Sequence, residues 1–148
     1  MATKENLQEA FAGESQANRK YLAFAKKADA DGFPQVAKLF RAAAEAETVH
    51  AHAHFRVLGG IQGTAENLQA AVEGEGFEFQ KMYPEFLKEA EAEGNKPAAI
   101  SIKNALVVEE VHYGLYGKAL KSVQGGKDLP ATSVSYTHLA GDSQMTLP

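Results

Sequence analysis

Glu47-Thr48-Val49-His50 and, 62 residues later, Glu109-Glu110-Val111-His112 are two copies of one pattern, a glutamate followed at the third position by a histidine. At helical spacing the two side chains lie on one face about a turn apart, so both reach the same point in space. A further glutamate precedes each copy: Glu14 stands 33 residues before Glu47, and Glu75 stands 34 before Glu109. Four carboxylates and two imidazoles, one set per half-chain, are the donors with which a four-helix bundle holds two metal ions in its core.

Working outward from these motifs, four helical segments emerge. The first runs from about Lys4 to Ala30, with Leu7, Phe11, Glu14, Ala17, Tyr21, Phe24 and Ala28 at three-and-four spacing. Asp31-Gly32-Phe33-Pro34 ends it, glycine suiting a helix C-terminus and proline the start of the next helix. The second, from about Pro34 to Leu58, carries Val36, Phe40, Ala43, Glu47, His50, His54 and Val57, and Gly59-Gly60 stops it. The third begins near Thr64, capped by Thr64 or Asn67, and runs to about Glu93 with Leu68, Ala71, Glu75, Glu78, Met82 and Phe86 on one face. Pro84 falls inside it and predicts a kink, because its ring removes a backbone hydrogen bond and clashes with the preceding turn. After Gly94-Asn95-Lys96-Pro97 a fourth helix presents Ile102, Leu106, Glu109, His112, Tyr116 and Leu120. Each stripe is apolar except where it carries Glu or His. An ionised carboxylate buried without a partner costs several kcal/mol, so four such interruptions at matching heights call for a positive charge between the helices.

The halves repeat. Gly13-Glu14, Tyr21, Phe24, Lys26, Ala28 and Gly32 parallel Gly74-Glu75, Tyr83, Phe86, Lys88, Ala90 and Gly94, with one residue inserted in the second copy. A duplicated hairpin sets two half-sites about a pseudo-two-fold axis. The connection from Gly59 to Gly63 is short: if the second and third helices run parallel, a return of about 30 Å needs about nine extended residues. Either the third helix starts later, or hairpins are exchanged between two chains, so a homodimer is expected. Past Ser122 the periodicity fades. The domain is therefore read as 1–123, and 124–148 as a weakly ordered or non-native tail.

Composition sets the outer limits. Hydrophobic residues make up 45% and charged residues 23% of the 148, as in an ordinary globular chain. The net charge of −4 is interspersed, which argues against a nucleic-acid surface. No long apolar run or leader is visible, so no membrane partner is expected and a cytoplasmic protein is the default reading. The chain has no cysteine, which excludes disulfides, thiolate catalysis and iron–sulfur ligation.

An oxygen-rich set with two nitrogens suits iron or manganese better than zinc. Glu78 breaks the symmetry: it lies one turn after Glu75 on the same face and offers one ion an alternative partner. Tyr21 and Tyr83 occupy equivalent places two turns from Glu14 and Glu75, where their hydroxyls can orient ligand carboxylates. Glu78, Tyr21 and Tyr83 are thus the candidate catalytic residues, the tyrosines as orienting or redox-linked groups. The candidate metal ligands are Glu14, Glu47, His50, Glu75, Glu78, Glu109 and His112. His52 is expected to face solvent, and His138 receives no role.

The run Ala10-Phe11-Ala12-Gly13-Glu14-Ser15-Gln16-Ala17, then Glu47 and His50, then Gly74-Glu75 with Glu78 and Met82-Tyr83-Pro84, then Glu109-Glu110 with His112, resembles the rubrerythrin family over roughly residues 4–123. The resemblance implies a ferritin-like four-helix bundle and a non-haem di-iron peroxidase that reduces hydrogen peroxide to water in oxidative-stress defence. It implies two iron ions, oxo- or hydroxo-bridged when oxidised, with manganese or a mixed pair as alternatives. It further implies that Glu47 and Glu109 bridge, that Glu14, Glu75, Glu78, His50 and His112 complete the shell, and that one iron exchanges His50 for Glu78 with redox state. Typical members continue into a rubredoxin domain held by four cysteines. A cysteine-free tail stands in that place here, as in sulerythrin-like short forms, so a separate rubredoxin-like protein is the expected electron donor. Two other classes stay open: a ferroxidase that stores iron in the manner of ferritin, and a non-catalytic module that senses iron or oxidants.

Overall fold

A computed structural model describes residues 2–131 of the chain. The described residues are helical almost throughout and divide into two compact units at Gln62 and Gly63, each a helical hairpin.

The first hairpin pairs α1 (Ala2–Ala30) with α2 (Pro34–Val57). Its helices approach closely because the facing positions are alanines: Ala25, Ala28, Ala37, Ala44 and Ala51 are buried, and Phe40 packs against the first three. Further along, the Phe11 and Phe55 rings stack at 4.8 Å. Arg41 clamps Asp29 across the hairpin at 2.8 Å. The second hairpin pairs a long interrupted helix, α3 (Thr64–Phe77) and α4 (Tyr83–Ala92), with α5 (Lys96–Gln124). Here Gly76 lets α5 come near: a Cβ on it would meet the Tyr113 ring at 3.0 Å.

The duplication extends to the hairpin turns. Gly32 sits at φ +81 with Phe33 N–H donating to Ala28 O at 2.8 Å, and Gly94 at φ +69 with Asn95 N–H donating to Ala90 O at 2.9 Å. Both turns need a left-handed residue, which glycine adopts at no steric cost. Asn95 then caps α5, its side chain accepting from Ala98 N–H at 3.2 Å.

Two sequence expectations are corrected. The N-cap of the third helix is Gly63 with no side-chain cap, rather than Thr64 or Asn67: Thr64 is already the first helical residue. The expected kink at Pro84 is instead a π turn, Glu78–Met82, upstream of it. Tyr83 N–H donates to Glu78 O, five residues back, and Pro84 falls in the first turn of α4, where its missing N–H is not needed. The π turn lies where the second repeat carries its extra residue. An insertion in a regular helix would rotate everything after it by about 100°. The wider turn absorbs the insertion, so Tyr83, Phe86 and Ala90 keep the face that Tyr21, Phe24 and Ala28 hold in the first hairpin. α5 ends at Gln124 and residues 125–131 follow it through a turn; the rest of the expected tail, with His138, lies outside the described residues.

Candidate metal centre

Each hairpin gathers one glutamate from its first helix with the Glu and His of its second. In the first, Asn18 bridges the helices: its Nδ2 donates to Ala44 O and to Thr48 Oγ1, both at 2.8 Å. That amide sits one turn from Glu14 and beside Glu47, so it fixes the height at which the two carboxylates meet. His50 Nδ1 lies 3.4 Å from Glu47 Oε2 and 3.9 Å from Glu14 Oε1. In the second, His112 Nδ1 lies 2.8 Å from Glu109 Oε2 and 3.6 Å from Glu75 Oε1. Each triad presents one donor atom per residue, all within 4.8 Å of one another. The second triad is the more enclosed: the His112 side chain is 20% exposed and that of His50 is 56% exposed.

The carboxylates repel one another within each triad. A hydrogen bond to Glu47 raises the pKa of Glu14, with burial and the Glu47 charge adding to it and His50 and His54 opposing. Glu47 is lowered by the same bond and by His50. Burial first, then the hydrogen bond and charge of Glu109, push Glu75 up to about 7. Like charges held this close favour partial protonation, and so does removal from water.

Glu78 stands at the start of the π turn, outside the second triad but within its field: burial and then the Glu109 charge raise its pKa, and its own charge in turn raises Glu75. Tyr83 is beside the same group, raised by burial and then by Glu78, Glu109 and Glu75. Tyr21 is differently placed. Its ring packs against Phe24 at 6.4 Å and Phe40 at 6.1 Å, an aromatic environment on the first hairpin. His52 is exposed, as expected, and His54 is near enough to Glu14 to lower its pKa. Sequence reasoning passed over Asn18, whose bridging role needs the cross-hairpin distance. It noted the inserted residue without the π turn that houses it.

The donor set fits a hard, multivalent cation. Each triad offers two carboxylates and one imidazole, the oxygen-and-nitrogen shell that iron and manganese accept. A cation against these oxygens would neutralise the repulsion that raises Glu14 and Glu75. Among the described residues no helix is long and apolar enough to cross a membrane.

Residues 5–120 match the sequence model of a family described as Rubrerythrin. The chain is 39% identical to the rubrerythrin of Porphyromonas gingivalis over 137 residues, covering 84% of this chain and 68% of that protein. It is 33% identical to Rubrerythrin-2 of Clostridium acetobutylicum over 141 residues, covering 86% and 77%. Among solved structures, a mixed-valence state of nigerythrin is 35% identical and covers 82% of this chain and 67% of its own, with a TM-score of 0.42.

Proposed function

The chain belongs to the rubrerythrin family of ferritin-like di-iron oxidoreductases, and from that premise we propose that it is a peroxidase reducing hydrogen peroxide to water. Its metal centre is formed by Glu14, Glu47 and His50 together with Glu75, Glu109 and His112, with Glu78 as a seventh donor. The observation that carries the reading is the pairing of two equivalent Glu–Glu–His triads with a single unpaired carboxylate, Glu78, added to one of them. A storage site has no need of that asymmetry. A site that changes its ligand between redox states does.

When bound, a pair of irons supplies both of the electrons that, with two protons, take one hydrogen peroxide to two waters. The chain's own residues perform the rest. Glu47 and Glu109, each next to its histidine, hold the centre from the second helix of each hairpin. Glu78 stands one turn from Glu75 and would offer a further carboxylate to a metal held by Glu75, Glu109 and His112. Tyr83, with its hydroxyl in the field of three carboxylates, is a positioning residue that orients them. Tyr21 packs the aromatic wall at the equivalent place. Electrons come from a separate rubredoxin-like protein, and the reaction belongs in the cytoplasm as part of oxidative-stress defence.

Stopped-flow absorbance on anaerobically Fe(II)-loaded protein, mixed in parallel with hydrogen peroxide and with oxygen, tests the proposal. Rapid stoichiometric oxidation by peroxide and slow reaction with oxygen is the expected result. Faster reaction with oxygen, followed by uptake of iron beyond the centre's own pair, would assign the protein to iron oxidation and storage instead.

A further inference from the structure

We propose that the first hairpin carries a separate site for a borderline divalent ion of the zinc class, held by His54, His50 and Glu14. It goes beyond the two-iron reading above, because this ion draws two donors away from that centre and recruits one that the centre does not use.

Spacing is the first argument. His50 and His54 are four residues apart within α2, and no other two histidines of the chain are. On a helix that spacing stacks two imidazoles on one face, the arrangement with which a helix grips zinc. Buried Ala51 marks the direction of α1. His50 stands about 100° from it around the helix and His54 about 60°, both to the same side. His52 falls to the other side and is exposed.

The register of the hairpin supplies the carboxylate. Asn18 is level with Ala44 and Thr48, to which it donates, and the Phe11 ring is level with Phe55. Glu14, between Phe11 and Asn18, therefore stands opposite the stretch from Thr48 to Phe55 that holds both histidines. Its Oε1 lies 3.9 Å from His50 Nδ1, and the charge of His54 reaches it. The His54 ring is half-buried and makes no hydrogen bond among the described residues, so its nitrogens stand ready for an ion. His50 is 56% exposed, which leaves its ring room to turn toward the same point.

The repeat confines this site to one half. The residue 62 positions after His54 is Tyr116, whose ring lies 6.4 Å from that of His112. That place on the helix therefore abuts the metal-facing imidazole, but in α5 it offers a phenol, which stays protonated at neutral pH and is a poor ligand. Glu78, conversely, belongs to the second hairpin alone. The first hairpin thus musters two carboxylates with two imidazoles, and the second three carboxylates with one. The nitrogen-richer set suits zinc, and the oxygen-richer set suits iron or manganese. Two imidazoles and Glu14 leave a fourth position to water, a shell that zinc accepts. Glu14 and His50 cannot serve two ions at once, so zinc bound here keeps iron out of this half of the centre.

Calorimetric titration of the metal-free full chain with Zn(II) at neutral pH tests the site, with Fe(II) loading measured in parallel. His54→Tyr gives the first hairpin the residue that the second already has. The wild type should bind zinc tightly, and His54→Tyr should weaken that zinc by more than about 100-fold while loading iron as the wild type does. Glu109→Ala, which damages the other half-site, should leave the zinc in place. One equivalent of zinc added before iron should lower iron uptake in the wild type and not in His54→Tyr. Equal zinc affinity in the wild type and His54→Tyr overturns the proposal. So does loss of the zinc in Glu109→Ala, which would put it in the shared centre, and so does a chain that loads iron but holds no zinc. A chain that binds zinc through His54 yet loads no iron upholds this site and removes the two-iron reading instead. His54→Gln repeats the comparison where the tyrosine variant does not fold.

Discussion

Glu109→Gln should stabilise the metal-free protein at alkaline pH while destroying its capacity to load. Glu75 stands at about 7 against an ordinary 4.5, raised by burial and then by Glu109. A carboxyl whose pKa rises on folding contributes stability that is fully present below about 4.5 and lost as pH climbs through about 7. The whole displacement corresponds to at most about 3.4 kcal/mol. Burial, the largest cause, survives in the variant, and solvent reaches the pair, which leaves about 1 kcal/mol attributable to Glu109. The amide that replaces the carboxylate still bonds to Glu75 and to His112 Nδ1, now 2.8 Å from Glu109 Oε2. For a chain of this size the gain is about 3 °C in Tm. The assay is thermal unfolding by circular dichroism in chelator, at pH 8 and at pH 5. The variant should melt higher at pH 8 and show no gain at pH 5, where Glu75 keeps its proton in both proteins. An equal gain at both pH values, or a lower Tm at pH 8, would refute the electrostatic account of the triad.

Other perturbations test separate parts of the site. Glu47→Ala or His112→Ala should abolish stoichiometric two-metal loading, measured as iron retained after desalting; a variant that still holds two irons at wild-type affinity removes that residue from the ligand set. Glu78→Ala should leave metal retention close to wild type while lowering peroxide turnover by about 10- to 100-fold, and equal turnover would end its ligand-exchange role. Deleting Lys81, an exposed residue of the π turn, should return the second repeat to the spacing of the first and keep stability within about 1 kcal/mol by denaturant titration. Loss of cooperative unfolding would show that the π turn does more than absorb an insertion.

Much of this was legible in sequence because the ligands interrupt strong helical periodicity. Leu7, Phe11, Tyr21 and Phe24 define a stripe on which Glu14 has no bland explanation, and the offsets to Glu75, Glu109 and His112 repeat it. The hairpin turns were equally plain, since Gly32 and Gly94 mark left-handed positions that other residues avoid. What could not be read was the local response to conflict. Pro84 announced an interruption, but whether a kink or a π turn relieves it depends on the register that α5 imposes on Tyr83 and Ala90. The aromatic setting of Tyr21, beside Phe40 of α2, needs the packing angle of the hairpin. Asn18 reads as a polar residue on a helix surface until Ala44 and Thr48 are placed opposite it. Tyr21 and Tyr83 are related by the repeat, and at Tyr83 burial and then the charges of Glu78, Glu109 and Glu75 raise the hydroxyl's pKa.

The claim at the centre of this account is that the two triads are halves of one dinuclear site. Anaerobic titration of the metal-free protein with Fe(II), followed by the quantity bound at equilibrium, measures it directly. The account predicts uptake that saturates at two irons per chain, with His112→Ala and His50→Ala each disrupting the pair rather than removing one independent ion. Saturation at a single iron, continued uptake past two, or two ions that respond independently to the two histidine substitutions would contradict it.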